Sequence, residues 1–150
     1  MENKQIYSNP IWDQFQLKVD KTSVEWNGIT LTIPENLKSK GWVQKHEVSQ
    51  PHEFNFGNIA GACLLIETTC TMFKKHINRR HNSYGLKHII EANEYYQDFS
   101  KSTYLSNGEL IFAMLLNGYT FYSINGLNCY FNILESDVEH LKKHNPYRNH

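Results

Sequence analysis

Apolar residues recur along this chain with two different periods, and together they predict an α+β fold. Between positions 15 and 33 the period is two. Phe15, Leu17 and Val19, then Val24 and Trp26, then Ile29, Leu31 and Ile33 alternate with polar residues, as strands with one buried face do. Asn27-Gly28 lies between the last two runs, and a two-residue type I′ turn favours that dipeptide because both central positions need positive φ. Thr22 to Ile33 is therefore predicted as a hairpin, closed by Pro34, which cannot donate to a ladder. Pro34 to Gly41 reads as a turn or a short helical piece, and Trp42 to Gly57 as a loop with one short strand near Trp42 and Val43. Before these runs the chain is polar and holds Pro10; Ile11, Trp12 and Phe15 are its first core anchors, and residues 1–6 are expected to be loose.

Past Gly57-Asn58 the period lengthens. Cys63, Ile66, Cys70, Phe73 and Ile77 fall three or four apart, which predicts one amphipathic helix over about 59–80 with Glu67, Thr71, Lys74, Lys75, Asn78 and Arg79 on its other face. A break at Arg80-His81-Asn82-Ser83-Tyr84-Gly85, with Ser83 as N-cap, precedes a second helix over about 84–97 that turns Leu86, Ile89, Ile90 and Tyr96 inward. Tyr104 to Leu134 is the most fully specified stretch. Ser106 and Glu109 have capping-box spacing, Leu110, Ile111, Met114 and Leu115 form one stripe, and Asn117-Gly118 ends a helix over about 107–117. Tyr119 to Ile124 and Leu127 to Leu134 then read as a hairpin around Asn125-Gly126. Ser136-Asp137-Val138-Glu139 repeats the capping-box spacing, so a terminal helix with Val138 and Leu141 inward should run to about His144, with residues 145–150 loose. The expected architecture is a single α+β domain over residues 1–150, antiparallel hairpins packed against about three helices. The pattern leaves open whether the two hairpins share one sheet.

Composition supports a packed core. Of 150 residues 40% are hydrophobic and only 20% charged, and nine Tyr, eight Phe and three Trp make that core aromatic. The three cysteines, Cys63, Cys70 and Cys129, are an odd number without C-x-x-C spacing, which argues for buried free thiols rather than a disulfide framework or closed zinc site. With no signal-peptide pattern and no apolar run of ~20 residues, the expectation is a cytoplasmic protein with no membrane partner.

Basic and acidic residues balance at 15 each, so no global field draws the chain to nucleic acid, and any charged partner must be met locally. Between Thr68 and Ile90 the balance fails: Lys74, Lys75, Arg79, Arg80 and Lys87 occur with His76, His81 and His88 and without an acid. Arginine donates in a planar fork that matches phosphate, lysine adds point charge, and Tyr84 and His88 can stack on a base. Lys74, Lys75, Arg79, Arg80, Tyr84, Lys87 and His88 are the candidate binding residues, gathered where the helix ending near Arg80 meets the helix starting at Ser83. The competing readings are an acidic protein surface as the partner and a merely solvated helix face. Catalytic patterns are weaker. Cys70 lies on the inferred buried face, Cys129 sits mid-strand, and Gly57-Asn58-Ile59-Ala60-Gly61 lacks the lysine of a phosphate loop. His140 and His144 have no third ligand, His46 and His52 no partner at metal spacing, and Glu91 and Glu94 read as solvated acids. No catalytic, metal or cofactor site is expected.

Ser83-Tyr84-Gly85-Leu86-Lys87-His88, Tyr104-Leu105-Ser106-Asn107-Gly108-Glu109-Leu110-Ile111 with Gly118-Tyr119, and Asn128-Cys129-Tyr130-Phe131-Asn132-Ile133 resemble, in order and spacing, blocks of small uncharacterised proteins of phages, prophages and other mobile elements. Leu105, Phe112 and Cys129 depart from those blocks. The resemblance covers residues 79–133 and implies a context rather than an activity: a non-catalytic binding protein in an infected or lysogenic bacterial host, of the kind that inhibits a defence nuclease, anti-CRISPR proteins included. Its partner would be a host nuclease or ribonucleoprotein, or nucleic acid directly. The alternative is a small hydrolase or transferase using His with Cys or Glu.

Overall fold

The computed structural model describes residues 4–8, 15–44, 54–71, 73–123 and 126–143, and every count below refers to these. Ile11, Trp12, His46, His52, Asn125, His144 and the last residues lie outside them. The period-two runs form a four-stranded antiparallel meander, β1 (Gln5–Ser8), β2 (Gln16–Val19), β3 (Ser23–Trp26) and β4 (Ile29–Thr32), in sequence order. Leu17, Val19, Val24 and Trp26 are buried on one face, and Asn27 and Gly28 have φ of 48° and 85°, as the type I′ turn requires. β1 corrects the expectation of a loose N-terminus: Gln5 and Ile6 pair with Val19 and Lys18. Backbone pairing holds this mostly exposed strand, so apolar periodicity carried no sign of it.

Pro34 to Gly41 is neither a simple turn nor helical. It folds into a small hairpin of β5 (Leu37–Lys38) and β6 (Gly41–Trp42), which includes the short strand expected near Trp42. Helix α1 (Phe56–Thr69) starts at Asn55, whose side chain accepts from the Asn58 amide, and it stops far short of residue 80. The chain turns extended at Cys70 and continues as strand β7 (Phe73–Asn82), where helix was predicted. Two causes are local and tertiary respectively. Thr68 folds its hydroxyl back on the Leu64 and Leu65 carbonyls within a β-branched run that disfavours helix. Beyond it, the buried Asp137 carboxylate takes the Thr71 amide and hydroxyl, each at 3.1 Å, and so captures the chain in its new direction. Phe73, matched to the helical stripe by spacing, is 51% exposed.

The second predicted helix is likewise two, α2 (Ser83–Glu91) and α3 (Glu94–Ser100). Asn82 rather than Ser83 caps the first, accepting from the Gly85 amide, while Ser83 is buried and exchanges hydrogen bonds with the Cys129 backbone. Asn93 breaks the run: its Oδ1 caps α3 and its Nδ2 donates to the Leu141 carbonyl. Helix α4 (Asn107–Leu116) stands as predicted, with both halves of the capping box formed and a Schellman end in which Gly118, at φ 86°, and Tyr119 donate to Leu115 and Met114. It is the core helix. Every residue but Leu115 is buried, Ile111 and Met114 included, and it packs against α1, α2, β4 and the β5–β6 hairpin. Leu105, Phe112 and Cys129 are fully buried as well.

Strands β8 (Phe121–Tyr122) and β9 (Tyr130–Ile133) pair as the predicted hairpin, shorter than expected. Their register, Phe121 opposite Phe131, is one residue away from what a two-residue Asn125-Gly126 turn would set. The connection is long because Leu127 is drawn elsewhere, its carbonyl accepting from the Trp42 amide and Asn107 Nδ2. Helix α5 (Glu135–Lys143) buries Val138 and Leu141 as predicted but starts before Ser136, so the Ser136 capping box does not form. The hairpins occupy separate sheets: β3 and β4 belong to the meander, whereas the other sheet runs β7-β9-β8. The fold is α+β, and no described helix is long and apolar enough to cross a membrane.

Candidate functional site

β7 is an edge strand, and it is far longer than the strand it pairs with. Phe73 lies opposite Ile133, Asn78 opposite Phe131 and Asn82 opposite Tyr130, so the residues between these pairs have no partners and bulge from the ladder. The cations sit in the bulges. Lys74 and Lys75 occupy the first, Arg79 and Arg80 the second, and all four are exposed. Two buried asparagines hold the bulged backbone. Asn78 donates from Nδ2 to the Ile133 carbonyl at 3.0 Å and to Glu135 Oε1 at 3.2 Å, while its Oδ1 accepts from the Arg80 amide. Asn132 donates to the Lys74 carbonyl at 3.2 Å and accepts from the Thr120 amide. Both bulges are therefore built into the core, and the cations they carry point away from it.

The expected junction of two helices is thus a strand running into a helix. Beyond Asn82 the candidate residues continue on α2, where their surroundings differ. Tyr84 is exposed, with the His88 ring edge-on at 4.5 Å between centres. Lys87 is turned inward, 7% exposed, its ammonium 3.3 Å from Glu91 and lying over the Tyr84 and Tyr104 rings at 5.5 and 5.0 Å. Glu91 is not a solvated acid: it accepts from Lys87, from His88 Nδ1 at 2.8 Å and from the Leu105 amide at 3.1 Å. The helical half of the candidate set is internally balanced by this carboxylate. The strand half is not, since no described carboxylate forms an ion pair with Lys74, Lys75, Arg79 or Arg80. Arg79 instead sets its Cζ 4.8 Å from the centre of the Tyr122 ring, a residue that charge patterning gave no reason to single out.

His81, at the end of β7, is tied to Glu135 by Nε2 at 2.8 Å. That hydrogen bond, helped by Asn78 and by the nearby Arg80 charge, outweighs partial desolvation and holds the Glu135 carboxyl below its ordinary range. A carboxyl depressed by folding stabilises the protein above the ordinary carboxylate range, and this contribution is lost as pH falls through and below that range. Glu135→Gln should accordingly lower stability near neutrality, where the ionised carboxylate contributes, and converge with the native protein in acid, which flattens the acid side of the profile read as urea midpoints from pH 7 down to about pH 3. An unchanged acid limb would show that the pair carries no linkage.

The thiols offer little nucleophile. Cys63 and Cys129 are fully buried; burial raises Cys63 well above the usual thiol range and pushes Cys70 and Cys129 up to about 12. Among the described residues no cluster of His, Cys, Asp and Glu could hold a metal ion.

Fold and surface together define a small α+β protein that presents, from one edge strand of a bulged three-stranded sheet, cations without ion-pair partners among the described residues, with Arg79 laid on Tyr122 of the opposite edge strand. Comparison with protein-family models, curated proteins and solved structures yields no match.

Proposed function

We propose that this protein is a non-catalytic binder that grips a phosphate backbone, carried by nucleic acid or by a nucleoprotein such as a host defence nuclease, through the bulged edge of β7. The observation that carries the reading is the segregation of Lys74, Lys75, Arg79 and Arg80 into two bulges, without ion-pair partners among the described residues. A solvated face needs no such anchoring; here Asn78 and Asn132 spend buried side chains on keeping these residues out of the ladder. Inhibition of a defence nuclease in the bacterial cytoplasm is the role implied by the resemblance of residues 79–133 to mobile-element proteins. The buried, raised thiols favour this reading over a cysteine hydrolase.

The test is affinity capture from a bacterial host with nucleic acid retained, comparing the native protein with Arg79→Glu/Arg80→Glu. Native protein should recover nucleic acid, bare or inside a nuclease complex, and the double variant should not, although both melt at similar temperatures. Affinity should fall with salt at a log-log slope of about −0.7 to −0.9 per phosphate contact, and removal of one arginine should make the slope shallower by nearly that amount. Binding that survives the double reversal with unchanged affinity and slope would reduce the edge to a solvated surface.

A further inference from the structure

Tyr122 and Tyr130 stand directly opposite each other in the β8–β9 register, so their side chains leave the sheet on one face. The neighbouring pair, Phe121 and Phe131, leaves on the other. Phe131 is fully buried and Phe121 packs on Trp42 with ring centres 4.7 Å apart, which makes that face the core side and the tyrosine face the outer one. Tyr122 is 40% exposed and carries the Arg79 guanidinium over its ring, while Tyr130 is half-buried beside it. An arginine plane laid on an aromatic ring, next to a second ring, is a platform on which a nucleobase can stack. The bulges of β7 place Lys74, Lys75 and Arg80 along the border of that platform, where a backbone leaving the stacked base would run.

We infer that this face binds single-stranded nucleic acid, with a base stacked on the Arg79–Tyr122 pair and phosphates held by Lys74, Lys75 and Arg80. The inference rests on the reading of the β7 edge as a phosphate-binding surface and names its ligand. Duplex fits less well because its bases are already stacked on one another and cannot reach Tyr122. A peptide added as a further strand fits less well too, because the bulges break the regular row of amides and carbonyls that strand addition uses.

Fluorescence polarisation with the whole protein tests this, using labelled single-stranded oligo-dT, single-stranded oligo-U and a hairpin duplex of equal charge. Both single strands should bind more tightly than the duplex, the DNA and RNA arms showing which sugar is preferred. Tyr122→Ala should weaken single-strand binding about tenfold, leave duplex binding and melting temperature unchanged, and be rescued by Tyr122→Phe. Equal affinity for duplex and single strand, or Tyr122→Ala without effect while Arg79→Glu/Arg80→Glu still abolishes binding, would overturn stacking and leave the basic-edge reading standing. Absence of binding to all three probes would overturn the inference, and capture by the basic edge from the host would then decide the broader reading by itself.

Discussion

Gly108→Ala should destabilise the protein by about 3 kcal/mol or more, although the same change in an ordinary helix interior stabilises by about 1 kcal/mol. Gly108 is in the first turn of α4, and its φ is not what requires glycine. The β5 backbone does. A Cβ at this position would fall 1.7 Å from the Lys38 carbonyl oxygen and 2.7 Å from its carbon, well inside any tolerable contact. Neither side can yield. The Gly108 amide donates to the Ser39 carbonyl at 2.8 Å, and the β5–β6 hairpin is pinned behind by Gly41, where an added Cβ would meet the Leu127 carbonyl and Asn107 Nδ2. Gly85→Ala in the first turn of α2 is the matched control: its nearest neighbour would be Asn82 Oδ1 at 3.5 Å, an ordinary contact, so this variant should gain about 0.5 to 1 kcal/mol. Urea unfolding of the two variants should therefore move in opposite directions. If Gly108→Ala unfolds at the native midpoint, α4 does not dock on β5 as described.

The second large effect is expected at Glu109. Capping-box logic alone assigns this side chain one local bond and makes it worth about 1 kcal/mol, the size of a typical cap. In the folded protein it is 3% exposed, and besides the Ser106 amide at 2.9 Å it accepts from the Asn55 amide at 2.7 Å and from Asn58 Nδ2 at 3.3 Å. One carboxylate thus closes the N-termini of both α1 and α4. Glu109→Ala would strand buried donors at both helix starts, and the expected loss is about 3 to 4 kcal/mol, given about 1.5 to 3 kcal/mol for a hydrogen bond to a charged group and incomplete additivity. Ser106→Ala removes only the local half and should cost about 1 kcal/mol. Equal losses for the two variants, measured by urea unfolding, would show that the link between the helices carries no energy.

Signals that reside within a few residues were legible before any tertiary structure was known. The Asn27-Gly28 turn, the alternation through Leu17, Val24 and Trp26, and the Ser106–Glu109 cap each depend on groups close in sequence, and each folds as its residues dictate. The candidate surface was half legible by the same measure. A run of cations without an acid is visible in one dimension, and Lys87 and Glu91 have the i, i+4 spacing of a helical ion pair, but that Lys87 lies over Tyr104 and that Arg79 lies on Tyr122 depends on residues far apart in the chain.

Between Phe73 and Asn82 the deciding contacts are distant in sequence. The apolar spacing of this stretch suits a helix, and its partners, Asp137 for the entry at Thr71 and Asn132 and Ile133 for the bulges, lie more than fifty residues away. The Asn27-Gly28 turn, the Ser106–Glu109 cap and the positive charge between Lys74 and Arg80 can be read from the residues alone, because they follow from side-chain chemistry and from φ preferences at neighbouring positions. That residues 73–82 form a bulged edge strand is settled only on folding, because strand pairing and buried asparagine bonds draw their free energy from neighbours that the chain then brings together.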